Sequence, residues 1–410
     1  MWALAEHIAV PILQLLLTLP LVHSIGVTGF GLWSFNLSLA ALIGTATPGV
    51  AMAATQLISL ADDTETQQSA TVLVVASGVL AATMASSIAA GIAHIILSYF
   101  TPQVWISLES DINVFIILAS MTAAALQTDM VCASALRAKN KFRHSAILDV
   151  ATRSSGIAIV ALAAIVGAGL TSLLAINFFM IIIRVITKAT YLLADGGRVN
   201  GKTIKKLVMP MIRFSLLQWS TNVSLFIYSS ADRIILAFIA PASVVAVSSL
   251  VGEMARQIQA IPRAYLSPLL VEMAFSRKRG DIVAADAAAQ AAIRILRVLI
   301  AILSCGALIS ITPITFMLLG GEVDIMTIFV IVAAYVISYS TLAGIVVNYY
   351  QLVSQGALEK INILTIWGAV ANLAGAALFG FILGAPGVAV SRMLYAMPFY
   401  LDAQIHKQHR

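Results

Sequence analysis

The sequence predicts an all-α polytopic membrane protein, with about twelve transmembrane helices in two six-helix lobes around a central cavity and both termini cytoplasmic. Three observations carry this expectation. Of 410 residues, 60% are hydrophobic and only 10% charged, against about 25% charged in soluble domains. The apolar runs are about 20 residues or longer, as a membrane-crossing helix requires, and lack the alternation of outer-membrane barrels. Basic residues, where the breaks between those runs carry them, are confined to alternate breaks (the alternate break at 60–68, LADDTETQQ, has none), the asymmetry that fixes orientation in a bilayer.

Polar or glycine- and proline-containing breaks place the spans at 4–25, 29–59, 69–99, 111–136, 146–166, 170–193, 208–239, 243–274, 291–318, 324–352, 360–382 and 386–402. The first carries Glu6 and His7 and no basic leader, so it reads as a retained helix and not as a signal peptide. The breaks after odd-numbered spans (26–28, 100–110, 167–169, 240–242, 319–323 and 383–385) contain no Lys or Arg. After even-numbered spans come Arg137, Lys139, Lys141 and Arg143, then Arg198, Lys202, Lys205 and Lys206. Arg277, Lys278 and Arg279 follow, and Lys407 and Arg410 close the chain. That bias assigns both termini to the cytoplasm and explains much of the net charge of +6, so no nucleic-acid partner is needed.

The two halves look related. Residues 141–169 and 358–386 pair at an offset of 217, which matches Arg143 with Lys360 and glycine-bounded turns with each other. The expected division is an N-terminal six-helix lobe, 1–200, and a C-terminal one, 201–410.

Several function classes are disfavoured at this point. The odd-side breaks are too short to hold an external catalytic domain, and the sequence contains no GxxxxGKS/T phosphate loop and no dense metal-ligand motif. Cys132 and Cys305 both lie in spans and imply no disulfide framework. A membrane glycosyltransferase or polymerase needs a larger loop or an acidic motif. The protein is therefore expected to act through its helices, as a non-enzyme without a bound cofactor.

Charged side chains inside the spans carry the functional reading, because each costs about 2.5–3.5 kcal/mol at the centre of a bilayer. Arginines at 153, 184, 213, 233, 256, 263 and 392 face only Asp129, Asp232 and Glu253 at comparable depth, with Asp149 and Glu272 nearer helix ends. Arg153 and Arg184 lie about 12 Å in from one end of adjoining spans. Glu253 can pair with Arg256 three residues on, and Arg256 and Arg263 share a helical face. Arg213 reads as a snorkelling side chain. An excess of guanidinium suits an anionic, phosphate-bearing cargo. The expected substrate contacts are Arg153, Arg256 and Arg263, supported by Arg184 and Arg392. Asp232 and Arg233 are expected to form a gating or orienting pair, and Asp129 or Glu253 could couple Na⁺ or H⁺. Tyr335, Tyr339, Tyr349 and Tyr350 read as packing residues.

Four segments resemble one family. ILQLLLTLPLVHSIGVTGFGLWSFNLSLA (12–40), RFSLLQWSTNVSLFIYSSADRIILAFIAP (213–241), YLSPLLVEMAFSRKRGD (265–281) and GALEKINILTIWGAVANLAGAALFGFILGAPGVAV (356–390) are similar, in order and spacing, to Wzx-type polysaccharide flippases. These belong to the multidrug/oligosaccharidyl-lipid/polysaccharide exporter superfamily. The resemblance implies a two-lobed bundle in a bacterial inner membrane, opening alternately to either side. Its cargo would be an undecaprenyl-diphosphate-linked oligosaccharide moved from the cytoplasmic to the outer leaflet. The partners would be membrane lipids, a polysaccharide polymerase and other glycan-assembly proteins. The alternative is a drug or metabolite antiporter driven by H⁺ or Na⁺ on the same fold, for which cationic cargo would call for an excess of acid.

Overall fold

The computed structural model describes residues 2–47, 49–59, 61, 63–99, 112–139, 141–194, 200–263, 265–266, 281–319, 323–355 and 357–408. The basic loop 277–279 and the break at 100–110 lie outside them. Every regular element among the described residues is helical, which is how an apolar chain satisfies its backbone polar groups in lipid. The order is α1 (Trp2–Gly44), α2 (Val50–Ser59), α3 (Thr64–Tyr99), α4 (Ile112–Ala138), α5 (Phe142–Ile165), α6 (Leu170–Leu193) and α7 (Gly201–Ile239). Then come α8 (Ala242–Ala255), α9 (Ile282–Leu318), α10 (Ile325–Gly344), α11 (Val346–Ser354), α12 (Leu358–Leu383), α13 (Ala385–Ser391), a 3₁₀ turn (Arg392–Tyr395) and α14 (Met397–Gln408).

Eight helical stretches among the described residues are long and apolar enough to cross a membrane. Where the other expected spans are described, they are helices that are shorter, broken or more polar. The apolar run at 29–59 is interrupted at 45–49 between α1 and α2, and the run at 386–402 is divided into α13, the 3₁₀ turn and α14. The turns in the breaks at 26–28, 167–169 and 383–385 rest on glycine. Gly26, Gly167 and Gly384 have φ of 70°, 87° and 65°, a region that side chains with a Cβ rarely enter. Gly26 kinks the 43-residue α1 where the sequence places its first break.

The chain divides into two compact units, Met1–Phe226 and Ile227–Arg410. The division falls inside α7, because the first half of that helix is fastened to the N-terminal unit. Met211 joins the apolar core of Ile58, Val74, Leu136 and Leu192 and accepts from the Ser77 hydroxyl at 3.2 Å. Ser215 O accepts from the Gly49 amide at 3.0 Å, and Trp219 Nε1 donates to Thr45 O at 2.6 Å.

Within the N-terminal unit, α4 packs against α1, α2, α3 and α6. Its two ends are distinct. Lys139 donates to Gln68 and to Leu192 O, and Asn200 donates to Glu65, gathering the breaks after even-numbered spans. Ser24 donates to Ala168 O at 3.1 Å, placing two odd-numbered breaks together. Asp63 starts α3 by accepting from the Thr66 amide at 2.6 Å and its hydroxyl at 2.9 Å. The amide bond is the larger influence holding the Asp63 carboxyl below its ordinary range.

In the C-terminal unit α10 occupies the corresponding position, packing against α8, α9, α13 and the 3₁₀ turn. Asp324 caps it through the Met326 and Thr327 amides. Close packing of α12 against the chain's last segment requires glycine: a Cβ at Gly368 would come within 2.5 Å of Tyr395 O, the small-residue contact common between membrane helices.

Candidate functional site

Among the described residues, each unit gathers cations and carboxylates into a largely buried cluster. In the N-terminal unit, α4, α5 and α6 each contribute at least one member. Lys188 on α6 is 0% exposed and donates to Asp129 Oδ1 on α4 at 2.6 Å and to Asp149 Oδ1 on α5. Arg184, one helical turn earlier on α6, lies with Nε 3.0 Å from the other Asp129 oxygen. Arg137 at the end of α4 and Arg153 on α5 stand 3.7 Å and 4.0 Å from Asp149. Among the described residues the cluster has four cations and two carboxylates. A lone ion there would be strongly disfavoured, and pairing across three helices offsets the desolvation of each.

In the C-terminal unit the cluster is built on interruptions of helical structure. Asp232 on α7 accepts from Tyr335 Oη on α10 at 2.8 Å and pairs with Arg392 Nη2 at 2.8 Å. Arg392 opens the 3₁₀ turn, donates to Tyr339 Oη at 2.8 Å, and lies over the Tyr335 and Tyr339 rings at 5.7 Å and 5.3 Å from their centroids. That geometry adds cation–π attraction to the ion pair. Arg233 takes a different partner, Glu253 Oε1 on α8, at 2.8 Å, while Arg256 binds Glu253 Oε2 at 2.7 Å. Arg256 ends the regular part of α8, and its side chain is 45% exposed. Three guanidiniums therefore surround two carboxylates.

The expected site residues divide accordingly. Arg153, Arg184 and Asp129 meet in the first cluster; Asp232, Arg233, Glu253, Arg256 and Arg392 meet in the second. The Arg263 side chain is exposed and, among the described residues, is in neither cluster; its carbonyl accepts from Tyr350 Oη at 2.9 Å. Asp232 and Arg233, adjacent in sequence, answer to separate partners on separate elements. The two carboxylates considered for ion coupling, Asp129 and Glu253, each hold two cations. Among the described residues no group of three or more His, Cys, Asp or Glu is arranged to hold a metal.

Sequence reasoning missed Lys188, the centre of the first cluster, although a lysine four residues after Arg184 in an apolar run was visible. It also read Tyr335 and Tyr339 as packing residues; both are buried, and their hydroxyls bond Asp232 and Arg392 as well.

Two helical units with buried charge define a two-lobed membrane transporter fold. The chain is similar to the lipid II flippase MurJ in an inward closed conformation, with a TM-score of 0.74 and 14% identity over 99% of this chain and 87% of that one. It is also similar to an inward-facing multidrug resistance MATE family transporter of the MOP superfamily, with a TM-score of 0.68 and 14% identity over 97% of this chain and 94% of that one. At such identity the likeness shows the fold. A sequence model of the polysaccharide biosynthesis protein family matches residues 1–272, and the chain belongs to that family, as its likeness to Wzx-type flippases implies. No curated protein matches it.

Proposed function

We propose that the protein is a flippase that carries an undecaprenyl-diphosphate-linked oligosaccharide from the cytoplasmic to the outer leaflet of a bacterial inner membrane by alternating access. The reading rests on family membership. One structural observation gives it chemistry: Arg256 shares Glu253 with Arg233 and keeps a half-exposed guanidinium. A guanidinium so placed retains donors for the oxygens of a diphosphate. Arg153 does the same in the N-terminal unit, with Arg263 as a third contact, while Arg184 and Arg392 support the site from buried positions. The basic breaks face the cytoplasm, as do both termini. Partners are membrane lipids and, by the family's role, a polysaccharide polymerase and other glycan-assembly proteins. Coupling to Na⁺ or H⁺ through Asp129 or Glu253 is part of the proposal.

The test is export in cells whose own flippase gene is deleted. Arg256→Ala is expected to reduce surface polymer at least tenfold at unchanged membrane levels, and Arg256→Lys to restore part of it. Full export by Arg256→Ala would remove Arg256 from the cargo path. The MATE likeness favours a second reading, a drug or metabolite antiporter. Efflux of cationic dyes by wild type, with no polymer export, would select it.

A further inference from the structure

We infer that Arg137 joins Arg153 in a phosphate-binding site on the N-terminal unit, where α4 ends and α5 begins. The argument starts from Asp149. Its carboxylate is 1% exposed, and its Oδ1 is already bound by the buried Lys188 ammonium. Arg137 Nη2 and Arg153 Nε approach it only to 3.7 Å and 4.0 Å. Charge-assisted N–H···O bonds lie at about 2.7–2.9 Å, and contacts beyond about 3.5 Å are not hydrogen bonds. Arg153 Nε is accordingly buried without an acceptor, and Asp149 Oδ2 without a donor. The two guanidiniums are drawn toward one carboxylate by its field but do not saturate their donors on it.

The rest of the cluster cannot neutralise them. Asp129 is occupied by Lys188 and Arg184, so the pair of positive charges around Asp149 remains in excess among the described residues. Their side chains are 47% and 38% exposed, which leaves donors reachable from outside the cluster. Two guanidiniums and an ammonium drawn to one carboxylate carry more charge than it neutralises, and a further anion would offset the excess. A phosphate or diphosphate, with oxygens on more than one face, fits between planar forks in a way a halide does not. Lys188 acts here as a positioning residue: by occupying Asp149 it keeps the arginines from collapsing onto that carboxylate. The phosphate could arrive as a free ion or as the head group of a lipid.

The site includes Arg153 and so rests in part on the proposed function, but it can be read without transport. Inorganic pyrophosphate is titrated calorimetrically into the purified full-length protein in detergent at low salt. Wild type is expected to bind. Arg137→Ala and Arg153→Ala should each weaken binding about tenfold or more, the double variant should abolish it, and the lysine variants should retain part. Arg213→Ala, which removes an exposed arginine on α7, should bind as wild type. Melting curves confirm that each variant is folded. Failure of wild type to bind, or equal binding by the alanine variants, overturns the site; a cluster bridged only by water would behave so.

Repeating the titration in phosphatidylcholine nanodiscs with and without phosphatidylglycerol separates the sources. Loss of pyrophosphate binding in the anionic discs identifies a lipid head group as the occupant, and unchanged binding identifies a free phosphate or the diphosphate of a cargo. If the double variant loses pyrophosphate but exports polymer normally, the site stands and its role in cargo transport falls. If it binds normally but export fails, the site falls and the flippase reading is untouched.

Discussion

The two charge clusters solve one problem in different ways. Both pair cations with carboxylates within one helical unit, and among the described residues both carry more cation than acid. The N-terminal cluster is drawn from three long, uninterrupted helices and closes on Lys188, which no solvent reaches. The C-terminal cluster gathers where helices are interrupted, at the end of α8 and in the 3₁₀ turn at Arg392. Two tyrosines join it, and Arg256 stays half-exposed. Regular helices fix side-chain positions firmly, whereas 3₁₀ segments and breaks are where helices rearrange. The first cluster is thus a buried fastening with two half-exposed guanidiniums at its edge, and the second lies where α8 ends and the 3₁₀ turn begins.

The sharpest way to break this comparison is to remove the fastening. Lys188→Met leaves Asp129 with Arg184 alone and Asp149 with no hydrogen-bonded cation, so it is expected to cost about 3–5 kcal/mol, the usual penalty for orphaning a buried charge. Thermal unfolding in detergent measures it. Lys188→Met combined with Asp149→Asn should recover part of the loss, since the removed charges are neighbours in one network. A single variant as stable as wild type would show that the cluster is wet and not a fastening.

Asp232→Asn is expected to cost less, about 2–3 kcal/mol, because Arg392 keeps Tyr339 and the faces of two aromatic rings. Its effect on export should exceed its effect on stability, the reverse of Lys188→Met. Equal ratios in the two units would erase the distinction drawn here. Arg256→Ala is smaller again for stability, within about 1 kcal/mol, as befits a half-exposed ion pair, although its expected loss of export is large.

Much of this architecture was legible in the sequence, and the exceptions have physical causes. Gly26, Gly167 and Gly384 mark turns because only glycine tolerates the backbone they need, and the offset of 217 superposes the last two. The interruptions at 45–49, at Arg256 and at Arg392 were not legible, since an apolar run reports the solvent and not the backbone geometry inside it. Charge pairing followed the same rule. Glu253 with Arg256 could be read from three-residue spacing on one helix. The contacts of Lys188 with Asp129 and Asp149, or of Asp232 with Arg392, depend on how helices far apart in sequence face each other. Sequence balance alone suggested bare arginines; the fold pairs Arg184, Arg233, Arg256 and Arg392 closely and leaves Arg137 and Arg153 at longer range from Asp149.

The weakest expected effect lies in the helix caps and tests whether the large effects belong to the clusters alone. Asp63 caps α3 in one unit and Asp324 caps α10 in the other, each accepting backbone amides at a helix start. Asp63→Ala should lower the melting temperature at neutral pH by less than about 2 °C and leave export unchanged. The pH dependence has a definite sign. Thr66 holds the folded carboxyl below its ordinary range, so the cap is fully stabilising above the unfolded value of about 3.9. Its contribution disappears as pH falls through the lower folded value. Melting temperatures of wild type and Asp63→Ala should therefore differ at neutral pH and converge in acid. Asp149→Asn, by contrast, should change stability at neutral pH far more than either cap, because its charge is buried against Lys188 while the cap's is exposed. A cap variant that impaired export as strongly as Arg256→Ala would mean that helix order, and not the cationic edges, limits transport.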